Sequence, residues 1–282
     1  MIAATRFRVG VIGDPVAHSI SPAMQQAALD ALGIPATYER WHTTSAELPA
    51  RTASLRETDA LGANVTVPHK LAVIDLVDDV STLAVRAGAV NTILNREGRL
   101  FGDNTDVYGF VAMLLSVCPD VGNRSAVILG AGGAARAVVL GLEQVGVTSI
   151  TIANRDPLRA QQLARSLEPI GVETIALCRG GLADSLNTAG VMINATSLGW
   201  HPGEMPIEPA LLRNLPTGAI ILDLTYRDTD LLIAARMRGL ATSDGLPMLV
   251  HQGAKAFELF TGQAAPIEIM MAAALQATEA RA

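Results

Sequence analysis

The stretch Ala126-Val127-Ile128-Leu129-Gly130-Ala131-Gly132-Gly133-Ala134-Ala135-Arg136-Ala137 constrains the fold more than any other part of this chain. A short apolar run ends in three glycines and then becomes an alanine-rich helical pattern. A strand, a tight turn and a helix start in that order form the unit that holds a dinucleotide pyrophosphate. Glycine lacks a Cβ, so the backbone takes the turn and phosphate oxygens reach the amide N–H groups at the positive end of the following helix. The spacing is Gly-x-Gly-Gly-x-x-Arg, and Ala135 stands where Gly-x-Gly-x-x-Gly has its third glycine, an accepted substitution. Gly130, Ala131, Gly132, Gly133 and Ala134 are therefore candidate cofactor-binding residues. Glycine-rich turns also occur as plain connections, so the next strand matters.

That strand is Ser149-Ile150-Thr151-Ile152-Ala153, one helix later, which completes a βαβ unit. It ends in Asn154-Arg155. A cofactor with a free ribose 2′-hydroxyl usually meets an Asp or Glu here, about 20 residues past the glycines. Asn154 and a cation hold the place instead. Arg155 and Arg159 suit a 2′-phosphate, which favours NADP(H) over NAD(H). Asp156 opposes that preference, because a carboxylate between the two cations repels a dianion. It also precedes Pro157, and Asp followed by Pro opens a helix with Asp as N-cap, which is its expected main job.

With 282 residues the chain has room for two domains, each with its own core. Hydrophobic residues make up 50% of it and aromatic ones only 4%, a balance that suits parallel strands buried on both faces by helices. The net charge of −6 carries no basic footprint for nucleic acid or an anionic membrane, so a small molecule is the expected partner. Cys118 and Cys178 belong to no Cys-x-x-Cys pair, which gives neither a disulfide framework nor a zinc site and fits free thiols in a reducing cytoplasm. Met1–Arg8 lacks the apolar core and cleavage site of a signal peptide, and no apolar run has membrane length. A cytoplasmic protein is expected. The chain has no internal repeat and no low-complexity linker.

From the amino terminus, Phe7–Gly13 reads as a strand, and Ser21-Pro22 starts a helix with Met24, Ala27, Ala28, Ala31 and Leu32 on its buried face and Gly33 at its end. Ser19 either serves the turn or, with Ser21, points at a polyol. A strand near Thr37–Trp41 and a helix around Leu48–Leu55 lead to Ala63-Asn64-Val65-Thr66-Val67-Pro68-His69-Lys70, a strand stopped by proline. Lys70 then opens a helix with Val73, Ile74 and Val77 on one face, which sets its ammonium against an unfavourable dipole. Ala87–Ile93 and Leu100–Asp106 read as two strands joined by Asn95-Arg96-Glu97-Gly98, and Val107–Val111 as a helix whose first-turn charge is Asp106. Later, Val191–Asn194 and Ala219–Asp223 are apolar strands ending in polar residues, Gly199–Glu204 is a loop, and Pro247–Phe260 and Pro266–Glu279 are helices. His201 and His251 read as structural or peripheral.

Ser19-Ile20-Ser21-Pro22, Asn64-Val65-Thr66-Val67-Pro68-His69-Lys70, Gly88-Ala89-Val90-Asn91-Thr92 and Gly102-Asp103-Asn104-Thr105-Asp106 resemble the ordered signature of the shikimate dehydrogenase family. The resemblance continues through Asn154-Arg155, Asn194-Ala195-Thr196-Ser197-Leu198-Gly199, Asp223-Leu224-Thr225-Tyr226 and Asp244 to Gln252, and so spans nearly the whole chain. It implies an α/β protein of two domains flanking a cleft. Residues 1–106 with 247–282 would form the substrate-binding, catalytic domain, and 107–246 a Rossmann-like NADP-binding domain. It further implies that Ser19, Ser21, Thr66, Asn91 and Gln252 hydrogen-bond the substrate and that Tyr226 lies at the substrate end of the cleft. Lys70 and Asp106 would be the catalytic pair, Thr196 would join the cofactor site, and Leu224 and Gly245 would lie near the nicotinamide. Two places depart from the family's pattern: Gln25-Gln26 stands where His-Asn is common, touching helix packing or the substrate floor, and Asp156 replaces the usual threonine.

The residue types agree with the implied reaction. Reducing a ring ketone needs a hydride on carbon and a proton on the forming alkoxide, and a cationic donor beside the oxygen supplies both charge stabilisation and the proton. No metal is required. The expected activity is the NADPH-dependent reduction of 3-dehydroshikimate to shikimate, by a monomer or homodimer. A quinate or shikimate dehydrogenase using NAD(H) is the nearest alternative, kept open by Asp156. A non-catalytic dinucleotide-binding regulator is an alternative of another class, and it has no need of Lys70, Asp106 and the hydroxyl-binding set together.

Overall fold

The computed structural model describes residues 6–168, 170–177 and 179–281. Met1–Thr5 of the amino-terminal reading and the Cys178 thiol lie outside the described residues. The chain divides into two compact units, one formed by the chain up to Tyr108 together with the chain from Val250 onward, the other by Gly109–Leu249.

In chain order the first elements are β1 (Phe7–Gly13), α1 (Ser21–Ala31), β2 (Ala36–His42), α2 (Leu48–Ala53), β3 (Ala60–Val65), β4 (Asp79–Val80), α3 (Thr82–Ala87), β5 (Thr92–Arg96), β6 (Arg99–Asp103) and α4 (Asp106–Val117). Next come β7 (Ser125–Leu129), α5 (Gly133–Gln144), β8 (Ser149–Asn154), α6 (Pro157–Ser166), β9 (Glu173–Ala176), α7 (Arg179–Leu186) and β10 (Ala189–Asn194). The last are β11 (Ile220–Asp223), α8 (Asp230–Arg236), β12 (Ala241–Ser243), α9 (Leu246–Thr261) and α10 (Ile267–Glu279).

The first unit holds a sheet of order β2-β1-β3-β5-β6-β4. It is mixed: β1 runs parallel to β2 and β3, β5 is antiparallel to β3 and β6, and β4 is parallel to β6. The β5–β6 hairpin turns through Glu97 and Gly98, both at positive φ (55° and 87°), the geometry that a two-residue hairpin loop requires. Ile12, Trp41, Leu55, Val65, Ile93 and Leu100 form the core against this sheet.

The second unit holds a wholly parallel sheet of order β12-β11-β10-β7-β8-β9. The chain runs outward from β7 to β9 and then returns to β10 on the other side of β7. The ends of β7 and β10 therefore meet at a topological switch point, where open parallel sheets hold ligands. Gly130 follows β7 and Ala195 follows β10, so close that a Cβ on Gly130 would lie 2.9 Å from the Ala195 carbonyl oxygen. Val127, Leu129, Met192 and Ile221 contribute to the core of this unit. Among the described residues no helix is long and apolar enough to cross a membrane.

Five local expectations are corrected. Lys70 opens no α-helix: it lies in a turn, followed by a 3₁₀ helix over Ala72–Leu76, after which Val77 is extended because the chain must join β4 beside β6. Ala87–Ile93 is not one strand, since Ala87 ends α3 on Gly88 in the left-handed region and β5 starts at Thr92. The strand before Pro68 stops at Val65, and the one before Asp106 stops at Asp103. In α1 the buried side chains include Gln25 and Leu29, while Ala31 and Leu32 are exposed.

Candidate active site

In the first unit the turn carrying Lys70 and the start of α4 bring a cation and a carboxylate together. Lys70 Nζ lies 2.6 Å from Asp106 Oδ2, with 28% of the lysine and 17% of the aspartate side chain exposed. The pair is thus sheltered enough for its charges to act strongly, yet open enough to be reached. The Lys70 backbone is fixed because its carbonyl accepts from Val90 N–H at 2.8 Å. Next to it, the buried His69 bonds the Thr43 carbonyl through Nε2 at 2.6 Å. Asp106 starts α4 with its N–H on Asn104 Oδ1, a local cap that also receives Val107 N–H.

Asn91, buried at the start of β5, holds the second carboxylate oxygen: its Nδ2 donates to Asp106 Oδ1 at 2.9 Å and to Thr105 Oγ1 at 3.0 Å. Its Oδ1 accepts the Thr105 backbone N–H at 2.8 Å. Gln252, on α9, brings Oε1 to 3.4 Å from both Asn91 Nδ2 and Thr105 Oγ1. Four of the expected residues, Lys70, Asn91, Asp106 and Gln252, therefore form one hydrogen-bonded cluster. Thr66 is half-buried four residues before Lys70, with its carbonyl accepting His69 N–H. Ser19 and Ser21 flank the start of α1, where Ser19 Oγ accepts Ser21 N–H at 3.2 Å and so serves the turn. Gln25 packs: its Nε2 donates 2.8 Å to the Gly253 carbonyl, tying α1 to α9 next to Gln252. Gln26 does the same for β2, accepting Tyr38 N–H at 2.9 Å.

In the second unit the glycine turn leads into α5 with Gly132 as N-cap and no side-chain capping bond. A Cβ on Gly132 or Gly133 would meet nothing within 4 Å. The start of this twelve-residue helix thus has open space beside Gly132 and Gly133 and no side-chain cap, and the N-terminus of a helix is where an anion is received. At the end of β8, Asn154 Nδ2 donates to the Asp156 carbonyl at 2.9 Å, and Asp156 caps α6 by accepting Leu158 N–H at 3.0 Å. Arg155 and Arg159 are exposed, and Arg159 Nε lies 3.7 Å from Asp156 Oδ2. Thr196 is bound within its own loop, its hydroxyl donating to Asn194 Oδ1 at 2.7 Å and accepting from Leu198 N–H at 3.1 Å. Leu224 N–H reaches the Asn194 carbonyl at 3.0 Å, and Gly245 closes so tightly on Leu224 that a Cβ would sit 2.1 Å from its carbonyl oxygen. Tyr226 belongs to this unit, where its ring meets Trp200 edge-on at 4.9 Å.

Residues 11–93 match the shikimate dehydrogenase substrate binding domain, 113–201 the shikimate / quinate 5-dehydrogenase domain and 245–275 the shikimate 5′-dehydrogenase C-terminal domain. The shikimate dehydrogenase (NADP(+)) of Symbiobacterium thermophilum is 44% identical over 96% of this chain and 94% of its own. The chain belongs to the shikimate dehydrogenase family. Among solved structures, the shikimate 5-dehydrogenase of Thermus thermophilus in complex with NADP(H) and shikimate superposes with a TM-score of 0.86 at 40% identity, covering 96% of this chain and 99% of that one. The quinate dehydrogenase of Corynebacterium glutamicum in complex with NAD gives 0.88 at 33% identity, over 96% and 99%.

Within this shikimate dehydrogenase family member, two sets of supporting residues escaped sequence reasoning. One is Tyr38, Asn64, Thr92 and Thr105, which are buried and hydrogen-bonded behind Asn91. The other is Asn194 and Asp223. Asp223 is fully buried and accepts from Asn194 Nδ2 at 3.0 Å, Thr225 N–H at 3.0 Å and Thr229 Oγ1 at 2.8 Å. Burial pushes its carboxyl above the usual range, and these three donors pull against that. The available signal was polar residues closing apolar strands, which marks an edge without giving the partner.

Proposed function

We propose that this chain is an NADP(H)-dependent shikimate dehydrogenase, an oxidoreductase that interconverts 3-dehydroshikimate and shikimate on the route to chorismate and the aromatic amino acids. The observation that carries the reading is the Lys70–Asp106 ion pair at 2.6 Å, held by Asn91 in a hydroxyl- and amide-rich cluster. Residues 1–106 with 247–282 are the substrate-binding domain, and 107–246 the NADP-binding domain. Ser19, Ser21, Thr66, Asn91, Gln252 and Tyr226 bind the polyol carboxylate. The protein works in the cytoplasm, as a monomer or homodimer.

Lys70 faces the reacting oxygen. During reduction its ammonium stabilises the developing alkoxide and delivers the proton; during oxidation the neutral amine takes it back. Asp106 keeps the ammonium aimed through Oδ2, while Asn91 fixes Oδ1, so the carboxylate meets the neighbouring substrate hydroxyl in one orientation. The open space beside Gly132 and Gly133 and the start of α5, which has no side-chain cap, fit a pyrophosphate, and Gly130, Ala131 and Ala134 complete that turn. Asn154, Arg155 and Arg159 take the adenosine 2′-phosphate, and Thr196, Leu224 and Gly245 the nicotinamide side. The bound nicotinamide supplies or accepts the hydride.

A second reading, quinate or NAD(H) use, is favoured by Asp156, whose carboxylate is within ion-pair distance of Arg159 and competes for it. Both readings are tested by following nicotinamide absorbance with shikimate and with quinate, each against NADP⁺ and NAD⁺. Shikimate with NADP⁺ is expected to lead, and Lys70→Ala to lose at least about a thousandfold in turnover while still binding NADP⁺. Near-normal turnover of Lys70→Ala would overturn the mechanism, and a lead for quinate or NAD⁺ would favour the second reading. Turnover with no pair would overturn both.

A further inference from the structure

Behind the Lys70–Asp106 pair runs a buried line of side chains whose donors all point one way. Tyr38, in β2, is 5% exposed and donates its phenolic proton to Asn64 Oδ1 at 2.8 Å. Asn64 Nδ2 donates to Thr92 Oγ1 at 3.2 Å, and Thr92 Oγ1 donates to Asn91 Oδ1 at 3.0 Å. Asn91 Nδ2 then donates to Asp106 Oδ1 at 2.9 Å, and the other carboxylate oxygen receives Lys70.

The sense of this line is set from its inner end. A backbone N–H, that of Thr105, enters Asn91 Oδ1, so the amide nitrogen of Asn91 must face Asp106. The Thr92 hydroxyl donates to that same oxygen at 3.0 Å, nearer than the Thr105 hydroxyl at 3.3 Å, which leaves a lone pair for Asn64 Nδ2. Asn64 therefore turns its oxygen toward β2, where it is buried and needs a donor. Tyr38 is that donor. Burial without a charged partner pushes the phenol well above its ordinary titration range, so it keeps its proton at every working pH. Its strand is held in place as well, paired to β1 at Val9 and bonded through its N–H to Gln26.

We propose that Tyr38 is a positioning residue: its phenolic proton fixes the Asn64–Thr92–Asn91 line and thereby the side chain that holds Asp106 in front of Lys70. The proposal rests on the assignment of Lys70 and Asp106 as the proton-handling pair. Without the phenol, Asn64 Oδ1 is stranded. It recovers a donor by turning its amide so that Thr92 gives its proton to Asn64, and Asn91 Oδ1 then loses a donor it now has. The damage falls on the orientation of the catalytic carboxylate, two side chains away from the substitution.

Tyr38→Phe removes one oxygen and keeps the buried ring, and Thr92→Val and Thr92→Ser break and retain the next link. The kcat for shikimate oxidation by NADP⁺ is expected to fall about three- to tenfold in Tyr38→Phe and Thr92→Val, the worth of one neutral hydrogen bond, with both KM values within about twofold. Thr92→Ser is expected to recover most of the loss. An unchanged kcat in folded protein, a loss confined to KM, or a Thr92→Ser as poor as Thr92→Val would each overturn the proposal. Side-chain amide exchange of Asn91, followed by NMR on the ligand-free protein, needs no turnover. It is expected to quicken about three- to tenfold in Tyr38→Phe, and an unchanged rate would refute the line even if wild-type protein oxidised nothing. Absent wild-type turnover with quickened exchange would instead leave the line standing and count against the functional reading. Should Tyr38→Phe fail to fold, the two Thr92 variants decide by the same measurements.

Discussion

Two glycines of one turn separate folding from cofactor binding. At Gly130 φ is +103°, and a Cβ would lie 2.9 Å from the carbonyl oxygen and 3.0 Å from the carbonyl carbon of Ala195. An L-residue held in such a sparsely populated region costs about 1–3 kcal/mol, and pushing aside the backbone just after β10 adds a comparable overpacking cost. Gly130→Ala should therefore cost roughly 2–5 kcal/mol and lower the melting temperature by roughly 5 °C or more. Gly132 has φ −92° and ψ −171°, a conformation open to any residue, and nothing lies within 4 Å of its would-be Cβ. Gly132→Ala should leave stability unchanged or raise it by up to about 1 kcal/mol, through lost freedom in the unfolded chain. On the proposed cofactor site, however, its methyl fills the space through which phosphate oxygens would approach the start of α5. Losing one or two charge-assisted bonds there costs about 1.5–3 kcal/mol, or roughly 10- to 100-fold in Kd for NADP⁺. Thermal unfolding without ligand and calorimetric titration with NADP⁺, applied to both variants, measure the two effects separately. Equal destabilisation by the two substitutions, or a Gly132→Ala protein that binds NADP⁺ as tightly as wild type, would refute the reasoning.

Asp156→Thr keeps a side-chain oxygen for capping α6 and removes the charge beside Arg159. A dianion and a carboxylate roughly 6 Å apart in water repel by about 1.4 kcal/mol, so the kcat/KM ratio of NADP⁺ to NAD⁺ should rise about tenfold in low salt. Steady-state kinetics with both cofactors check this, and an unmoved ratio would reduce Asp156 to a cap. Asp78, bonded by Arg56 and by the Leu100 N–H, has its carboxyl held down at about 2, against an ordinary value of 3.8. Since the folded state holds the proton more weakly than the unfolded one, this carboxylate stabilises the fold above about pH 4, and that contribution disappears as pH falls from there to about 2. Asp78→Asn should accordingly unfold at lower urea than wild type at pH 6, with the gap narrowing steadily on acidification; a gap that widens toward low pH would contradict it.

What could be read directly from the sequence was chemistry packed into neighbouring residues. The strand–glycine–helix unit at Gly130 and the Asp156-Pro157 helix start both hold because their backbone geometry is dictated within a few residues. The errors fell where distant pairing overrides local pattern. The apolar spacing of Val73, Ile74 and Val77 suits a helix, yet Val77 is drawn into extended structure so that Asp78 can meet Arg56 and the Leu100 N–H. Gly88 looked like part of a strand because its neighbours are small and apolar, whereas it ends a six-residue helix in the left-handed region. Residue types implied by the family resemblance proved clustered for Lys70, Asn91, Asp106 and Gln252. Their spacing alone had no means of saying so, since Asn91 and Gln252 are 161 positions apart.

The two aspartates that close strand-end clusters, Asp106 and Asp223, show why a carboxylate must be read by its surroundings. Each accepts an asparagine amide, from Asn91 in one case and Asn194 in the other. Asp106 adds a lysine and keeps 17% of its side chain exposed, so charge and access coincide on one group that a substrate can reach. Asp223 is fully buried, and its hydrogen bonds come from neutral donors, among them an amide, a backbone N–H and the Thr229 hydroxyl, which itself caps α8. Those bonds fasten the loop after β10 to the loop after β11, the segments that carry Thr196 and Leu224. On the proposed reading of Asp106, the same functional group thus serves reaction in one unit and scaffolding in the other. The difference lies in a cation and a path to solvent, both supplied by residues far away in sequence.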